Sequence, residues 1–205
     1  MMETEREQHW NNVYATKLPN QVSWTQAIPT IALNYFQLLQ LNKQASIIDI
    51  GGGESTLVDF LVEQGFENIT VLDISTIAIQ KVKQRLGDKA KKINWIVTDI
   101  LNFKPTQKYD VWHDRATFHF LTNHEHINKY VSLVNDFVTK HLIVSTFSTN
   151  GPNKCSGLQT MQYSADSLAQ KFNANFKLMH HQLHQHQTPF NTTQNFLYGC
   201  FNRIK

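Results

Sequence analysis

The spacing of hydrophobic positions changes along the chain, and the changes mark out its elements. Residues 4–15 read as a short helix, with Trp10 and Tyr14 four apart on one face. "VSWTQAIPTIALNYFQLLQL" predicts a second helix, with Pro29 near its start or at a kink. Strand and helix patterns then alternate. "SIIDI" (46–50) is a short buried strand, 55–64 a helix closed by Gly65, 68–75 a strand ending in an acid, and 75–87 a helix stopped at Gly87. Strands are predicted over 92–99, 108–116 and 141–148, and helices over 124–138 and 164–172, the last with Ser164 as N-cap. The ending is different: "NFKLMHHQLHQHQ" and "QNFLYGCFNRI" are two strand-like runs joined by "TPFNTT", which suits an antiparallel hairpin.

Alternation of this kind predicts a Rossmann-like, doubly wound α/β fold of seven strands, with helices on both faces and a C-terminal antiparallel β-hairpin. One domain is expected over 1–205, with residues 1–42 as an N-terminal helical cap and 43–205 as the α/β core. A hydrophobic content of 41% and a charged content of 17% place the chain among globular proteins. The net charge of +3 comes without a dense Lys/Arg run, which argues against a nucleic-acid partner. "MMETEREQHW" lacks the apolar core of a signal peptide, and no apolar run reaches the roughly 18 residues of a membrane span. Cys155 and Cys200 lie far apart without a CxxC, as in a reducing compartment, so a cytoplasmic location is expected.

The loop after the first strand, "DIGGGES", is the default ligand site, because open α/β sheets bind at the carboxyl ends of their strands. A dinucleotide fingerprint, G-x-G-x-x-G, would rest a pyrophosphate on the helix N-terminus. Gly51 and Gly53 fill its first two places, but the third falls on Thr56. Asp49 and Glu54 flank the glycines, and a pyrophosphate would face both carboxylates at close range. A cationic ligand is favoured instead, and S-adenosylmethionine carries a sulfonium and an ammonium. Asp73 ends the next strand, 22 residues after Gly51, where an acid can accept from ribose hydroxyls. NAD sites use the same device, so an NAD-dependent oxidoreductase stays open at this point. Asp99 ends the third strand, where it can accept from an adenine amino group while Ile100 packs on the ring.

"DIGGGES", "VLDIS" and "VTDI", in that order and followed by the hairpin, resemble the class I S-adenosylmethionine-dependent methyltransferases over about residues 46–148. The resemblance implies that Gly51 and Gly53 line the methionine part and that Asp49 acts near the ammonium. It implies further that Asp73 holds the ribose, that Ile74 belongs to the cofactor site, that Asp99 and Ile100 meet the adenine, and that S-adenosylhomocysteine is the product. Glu54 departs from the pattern, since many members carry a small residue there. "DVWHDRATFHFL", with "HWNNVY" and the stretch after the fifth strand, resembles a bacterial subgroup related to the protein-lysine methyltransferases. The acceptor implied is a protein lysine or a small molecule.

Methyl transfer is an in-line displacement, so much of the catalysis is positioning. His113, Asp114 and His119 are the candidate catalytic residues: either histidine as a base near neutral pH, Asp114 holding an acceptor ammonium or pairing with Arg115. His119 has a packing alternative against the following helix. Cys155 reads as a buried small residue rather than a nucleophile. His180, His184 and His186 share a strand face and form a possible metal set, but the chain is rich in Asn, Gln and His throughout, and no metal is expected. Trp10, Tyr14 and Trp24 form either a lid over the cofactor or plain packing. A module that binds S-adenosylmethionine without transferring its methyl group is the remaining alternative.

Overall fold

The computed structural model describes residues 3–204. The chain falls into two compact units, Met1–Lys104 and Pro105–Lys205.

The first unit opens with α1 (Glu3–Thr16), a 3-10 turn at Pro19–Gln21 and α2 (Thr30–Leu38). Then come β1 (Ser46–Ile50), α3 (Leu57–Glu63), β2 (Asn68–Asp73), α4 (Thr76–Leu86) and β3 (Ile93–Val97). The strands are parallel in the order β3-β2-β1, with Ile48 opposite Thr70 and Leu72 opposite Ile96. Strands covered on both faces read as continuous apolar runs; Ile47, Ile48 and Ile50 of β1 are accordingly fully buried, together with Leu57 and Leu61 of α3 and Ala78 and Val82 of α4. Ser75 caps α4 by accepting from the Ala78 N–H at 3.1 Å. α2 is shorter than its hydrophobic pattern suggests. Pro29 occupies its N-cap position, and residues 22–28 are irregular, because a residue before proline is pushed out of the helical region and proline has no N–H to donate.

The second unit contains β4 (Tyr109–Arg115), α5 (His124–Phe137), β5 (Val138–Ser148) and α6 (Ala165–Phe172). Between β5 and α6 lie the short strands β6 (Lys154–Cys155), β7 (Leu158–Gln159) and β8 (Gln162–Tyr163). β9 (Phe176–Gln187) and β10 (Thr193–Arg203) are the expected antiparallel hairpin. β4 and β5 are parallel, and β10 lies antiparallel between β5 and β9. The β6–β7 ribbon, which no alternation announced, turns through Ser156 and Gly157, both at positive φ. Parallel strands linked through helices and finished by an antiparallel pair make the Rossmann-like α/β architecture that the changing period predicts.

Strand alternation decides what β4 presents. Trp112 and Asp114 face an aromatic cluster of Tyr130, Phe118 and Phe172, where the Phe118 and Tyr130 rings are 4.8 Å apart. His113 and Arg115 point to the other side.

Candidate functional site

The glycine loop is shaped by what surrounds it. Gly51 and Gly53 adopt φ of 64° and 50°, the left-handed region that favours glycine. A Cβ at Gly52 would stand 2.6 Å from Val71 Cγ1 and 3.0 Å from Asp49 Oδ2, and one at Gly53 would collide with the Tyr14 hydroxyl. The loop is thus closely packed at Gly52 and Gly53. Asp49 is 3% exposed and Asp73 4%. Asp73 Oδ2 accepts from the Gly53 N–H at 2.8 Å and Oδ1 from the Ser75 N–H at 2.7 Å. Burial, with the Asp49 charge adding to it, raises the Asp73 carboxyl to about 6 against the pull of those N–H donors. Ile74 is half-buried beside it. Glu54 turns its charge to α4, 3.4 Å from Lys81 Nζ.

Asp99 caps the turn Ile100–Asn102 by accepting from the Leu101 N–H at 2.8 Å. Its other oxygen lies 2.7 Å from Arg6 Nε and 2.6 Å from Arg6 Nη2. The carboxylate expected to meet an adenine amino group is therefore held by α1, and Ile100 is buried at its side. α1 reaches two further loops. Asn11 Oδ1 accepts from Ser75 Oγ at 2.8 Å and from the Ile77 N–H at 3.3 Å, at the start of α4. Tyr14 covers Gly53, and Trp10, Tyr14 and Trp24 form a ring cluster with centroids 5.9 to 6.5 Å apart. The pattern pointed to the aromatic residues; Arg6 and Asn11, which contact the site directly, were missed, although Asn11 stands inside the quoted "HWNNVY".

In the second unit the candidates part company. Asp114 is fully buried, and its carboxylate accepts from Tyr130 OH at 2.6 Å, from the Thr117 N–H at 2.8 Å and from the Phe118 N–H at 3.1 Å. Trp112 Nε1 donates to the same Tyr130 hydroxyl at 2.9 Å. Burial lifts the Asp114 carboxyl to about 6, and these bonds oppose the rise. It makes no pair with Arg115, which alternation sends to the opposite face, where its Nε donates to Tyr198 OH at 3.1 Å. The expected Asp114–Arg115 pair is corrected accordingly, and Asp114 is a fixed post of the turn rather than an open carboxylate.

His119 is also fully buried, with its ring against Phe147 at 4.4 Å. The Phe147 N–H donates to Nδ1 at 3.2 Å, so the proton of the neutral ring sits on Nε2. Burial and then the Arg115 charge bring the imidazole down to about 3. His119 is thereby a hydrogen-bond donor at neutral pH and not a base. His113, 3% exposed, lies on the Arg115 side of β4 opposite Ile143. Cys155 is buried in the β6–β7 ribbon, and neither cysteine is in a disulfide. On β9, His180 is exposed, His184 half-buried and His186 buried. Among the described residues no three His, Cys, Asp or Glu side chains gather as a metal site, and no helix is long and apolar enough to cross a membrane.

Residues 48–140 match the family model described as methyltransferase domain. The chain is 31% identical to malonyl-[acyl-carrier protein] O-methyltransferase 1 of Ilyobacter polytropus over 51% of its length and 39% of that protein's. It is 25% identical to EEF1A lysine methyltransferase 2 of Danio rerio over 72% of its length and 61% of that protein's. The chain thus spans less than two thirds of the length of these relatives. Among solved structures, a SAM-dependent methyltransferase from Anabaena variabilis superposes with a TM-score of 0.76 at 15% identity, covering 98% of this chain and 94% of the other. The N-methyltransferase NodS of Bradyrhizobium japonicum, in complex with S-adenosyl-L-homocysteine, gives 0.69 at 17%, covering 96% of this chain and 100% of the other. The fold is that of the S-adenosylmethionine-dependent methyltransferases.

Proposed function

We propose that this chain, with a methyltransferase domain match over residues 48–140, transfers a methyl group from S-adenosylmethionine to a protein lysine or a small molecule. The observation that carries the reading is the glycine loop. Its backbone leaves no room for a Cβ at Gly52 or Gly53, and the adjoining strand ends supply the buried acids Asp49, Asp73 and Asp99. That set of acceptors fits a ligand with a cationic sulfonium, an ammonium and ribose hydroxyls, and opposes a pyrophosphate. When bound, the sulfonium supplies a methyl group that the acceptor displaces in line, the C–S electron pair going to sulfur.

The chain's own residues then have distinct tasks. Gly51 and Gly53 admit the methionine part against bare backbone, and Asp49 faces its ammonium. Asp73 accepts from ribose hydroxyls, and Ile74, Asp99 and Ile100 form the adenine side. α1 shields the loop from water, which strengthens each of these contacts. His113 and His119 serve the acceptor, His119 as an Nε2–H donor. Asp114 is a positioning residue that fixes the turn after β4. Cysteines outside any disulfide favour a reducing compartment, and we place the protein in the cytoplasm.

Calorimetric titration with S-adenosylmethionine tests the reading, followed by transfer of its labelled methyl group to cell extract. Asp73→Ala removes charge-assisted bonds of about 1.5–3 kcal/mol and is expected to weaken cofactor binding roughly 10- to 100-fold. A wild-type protein that binds NAD and not S-adenosylmethionine overturns the reading. Binding without transfer to any component of the extract favours the silent module.

A further inference from the structure

Arg115 stands at the end of β4 on a turn that is costly to build. Ala116 follows it at φ 70°, a left-handed conformation outside glycine's preserve. The turn is held from both sides: the Ala116 N–H donates to the Ser145 carbonyl at 2.9 Å, and Asp114 accepts from Thr117 and Phe118. Strain kept in place by a buried network marks a position whose direction matters. The guanidinium plane is set by the bond from Nε to Tyr198 OH and by the Phe196 ring, 5.0 Å away.

Buried donors surround it. Ser145 is the register partner of both Arg115 and Tyr198, so its side chain lies on the same face as theirs. Its hydroxyl is buried and makes no hydrogen bond, and the same holds for His119 Nε2. His119 packs on Phe147, whose register partner Phe196 lies under Arg115. A buried donor left without a partner is costly, so both groups call for an acceptor. The strand positions of this face, 113 and 115 on β4, 143, 145 and 147 on β5, and 196, 198 and 200 on β10, include no Asp or Glu. An acceptor ammonium finds no strand carboxylate there, since Asp114 is on the opposite face with its oxygens engaged.

We propose that the methyl acceptor is a small molecule bearing a carboxylate, and that Arg115 holds this carboxylate with Ser145, His119 and Tyr198 as the neighbouring donors. The proposal rests on the methyltransferase reading above and narrows its acceptor to one class. A planar guanidinium matches a carboxylate in a way that an ammonium cannot.

The test titrates malonate and benzoate, each beside its uncharged amide, into protein saturated with S-adenosylhomocysteine, and follows heat and melting temperature. A carboxylate is expected to bind where its amide does not. Arg115→Gln is expected to weaken that binding roughly 10- to 100-fold, and Arg115→Lys to restore part of it. An unchanged cofactor Kd in both variants shows that they are folded. In parallel, labelled S-adenosylmethionine is incubated with the anionic and the non-anionic pools of a metabolite extract, and the label is expected to follow the anionic pool. Acid and amide binding alike, acid binding that survives Arg115→Gln, or label on protein lysine overturns the proposal. Failure to bind S-adenosylhomocysteine sinks the methyltransferase reading instead, and the malonate arm then decides the anion site alone.

Discussion

Tyr130→Phe removes one oxygen from the post that holds the turn after β4, and its cost can be worked from the structure. The hydroxyl donates to Asp114 at 2.6 Å and accepts from Trp112 Nε1 at 2.9 Å, and all three side chains are fully buried. Losing a hydrogen bond to a charged group costs about 1.5–3 kcal/mol, and orphaning the indole N–H about 1–3 more, so about 2.5–6 kcal/mol in all at pH 8. At about 2–4 °C per kcal/mol for a chain of this size, the melting temperature should fall by roughly 5–24 °C. The effect has a pH signature. Burial raises the Asp114 carboxyl from 3.8 to about 6, so the folded state holds the extra proton between those values. The stability associated with this group is therefore greatest below about 4, declines as pH rises to about 6, and is level above. Without the Tyr130 donor, which favours the ionised form, the folded carboxyl rises further and the decline extends to higher pH. The deficit of Tyr130→Phe should thus be larger at pH 8 than at pH 5, where Asp114 is already mostly protonated. Urea unfolding and calorimetry at the two pH values measure it. A variant within about 0.5 kcal/mol of wild type at pH 8, or a deficit that ignores pH, would refute the role given to Asp114.

Gly53→Ala combines a left-handed backbone with a collision against Tyr14 and should lower cofactor affinity at least about tenfold, whereas Gly65→Ala, at φ 82° with nothing within 4 Å of the added Cβ, should cost about 1–2 kcal/mol of stability and leave affinity unchanged. Cofactor affinity itself should be level above pH 6 and fall as pH drops through the Asp73 value of about 6, approaching tenfold per unit, because ribose hydroxyls donate to the ionised carboxylate; calorimetry from pH 5 to 8 checks this. The Cys200 thiol is pushed up to about 11 by burial, so iodoacetamide at pH 8 should alkylate it at least about 100-fold more slowly in the native protein than in urea.

The strand-end acids were legible in the sequence because a parallel sheet brings carboxyl ends together, and a short apolar run that closes on an acid marks each of those ends. The residues that complete the site were not. Arg6 acts on Asp99 across 93 positions and Asn11 on Ser75 across 64, and no local periodicity encodes such pairings. The role of His119 depends on a backbone N–H 28 residues away that decides which ring nitrogen keeps the proton. Asp114 was within reach of a stricter reading: in "DVWHDR" it alternates with Trp112 onto the aromatic face, away from His113 and Arg115. The second helix is shorter than its apolar pattern, which runs through Pro29, where backbone chemistry overrides periodicity.

Asp73 and Asp114 show why a shifted carboxyl does not by itself identify a functional residue. Both are buried, and burial raises both to about 6. Their partners separate them. Asp114 is closed on all sides by Tyr130 and two N–H groups within a core of Trp112, Phe118 and Phe172, so a ligand has nothing to add to it. Asp73 receives only backbone N–H groups, from Gly53, Ser75 and Ile74, and it lies at the rim of a loop that tolerates no Cβ. Each carboxylate oxygen offers two lone pairs, so Asp73 retains capacity for hydroxyl donors that its own chain does not provide. Asp99 is a third case, since its charge is matched by Arg6, a side chain 24% exposed and able to move aside. Of the three acids, Asp73 is therefore the one that keeps acceptor capacity open, and whose ionised form a ligand rich in hydroxyl donors would stabilise most.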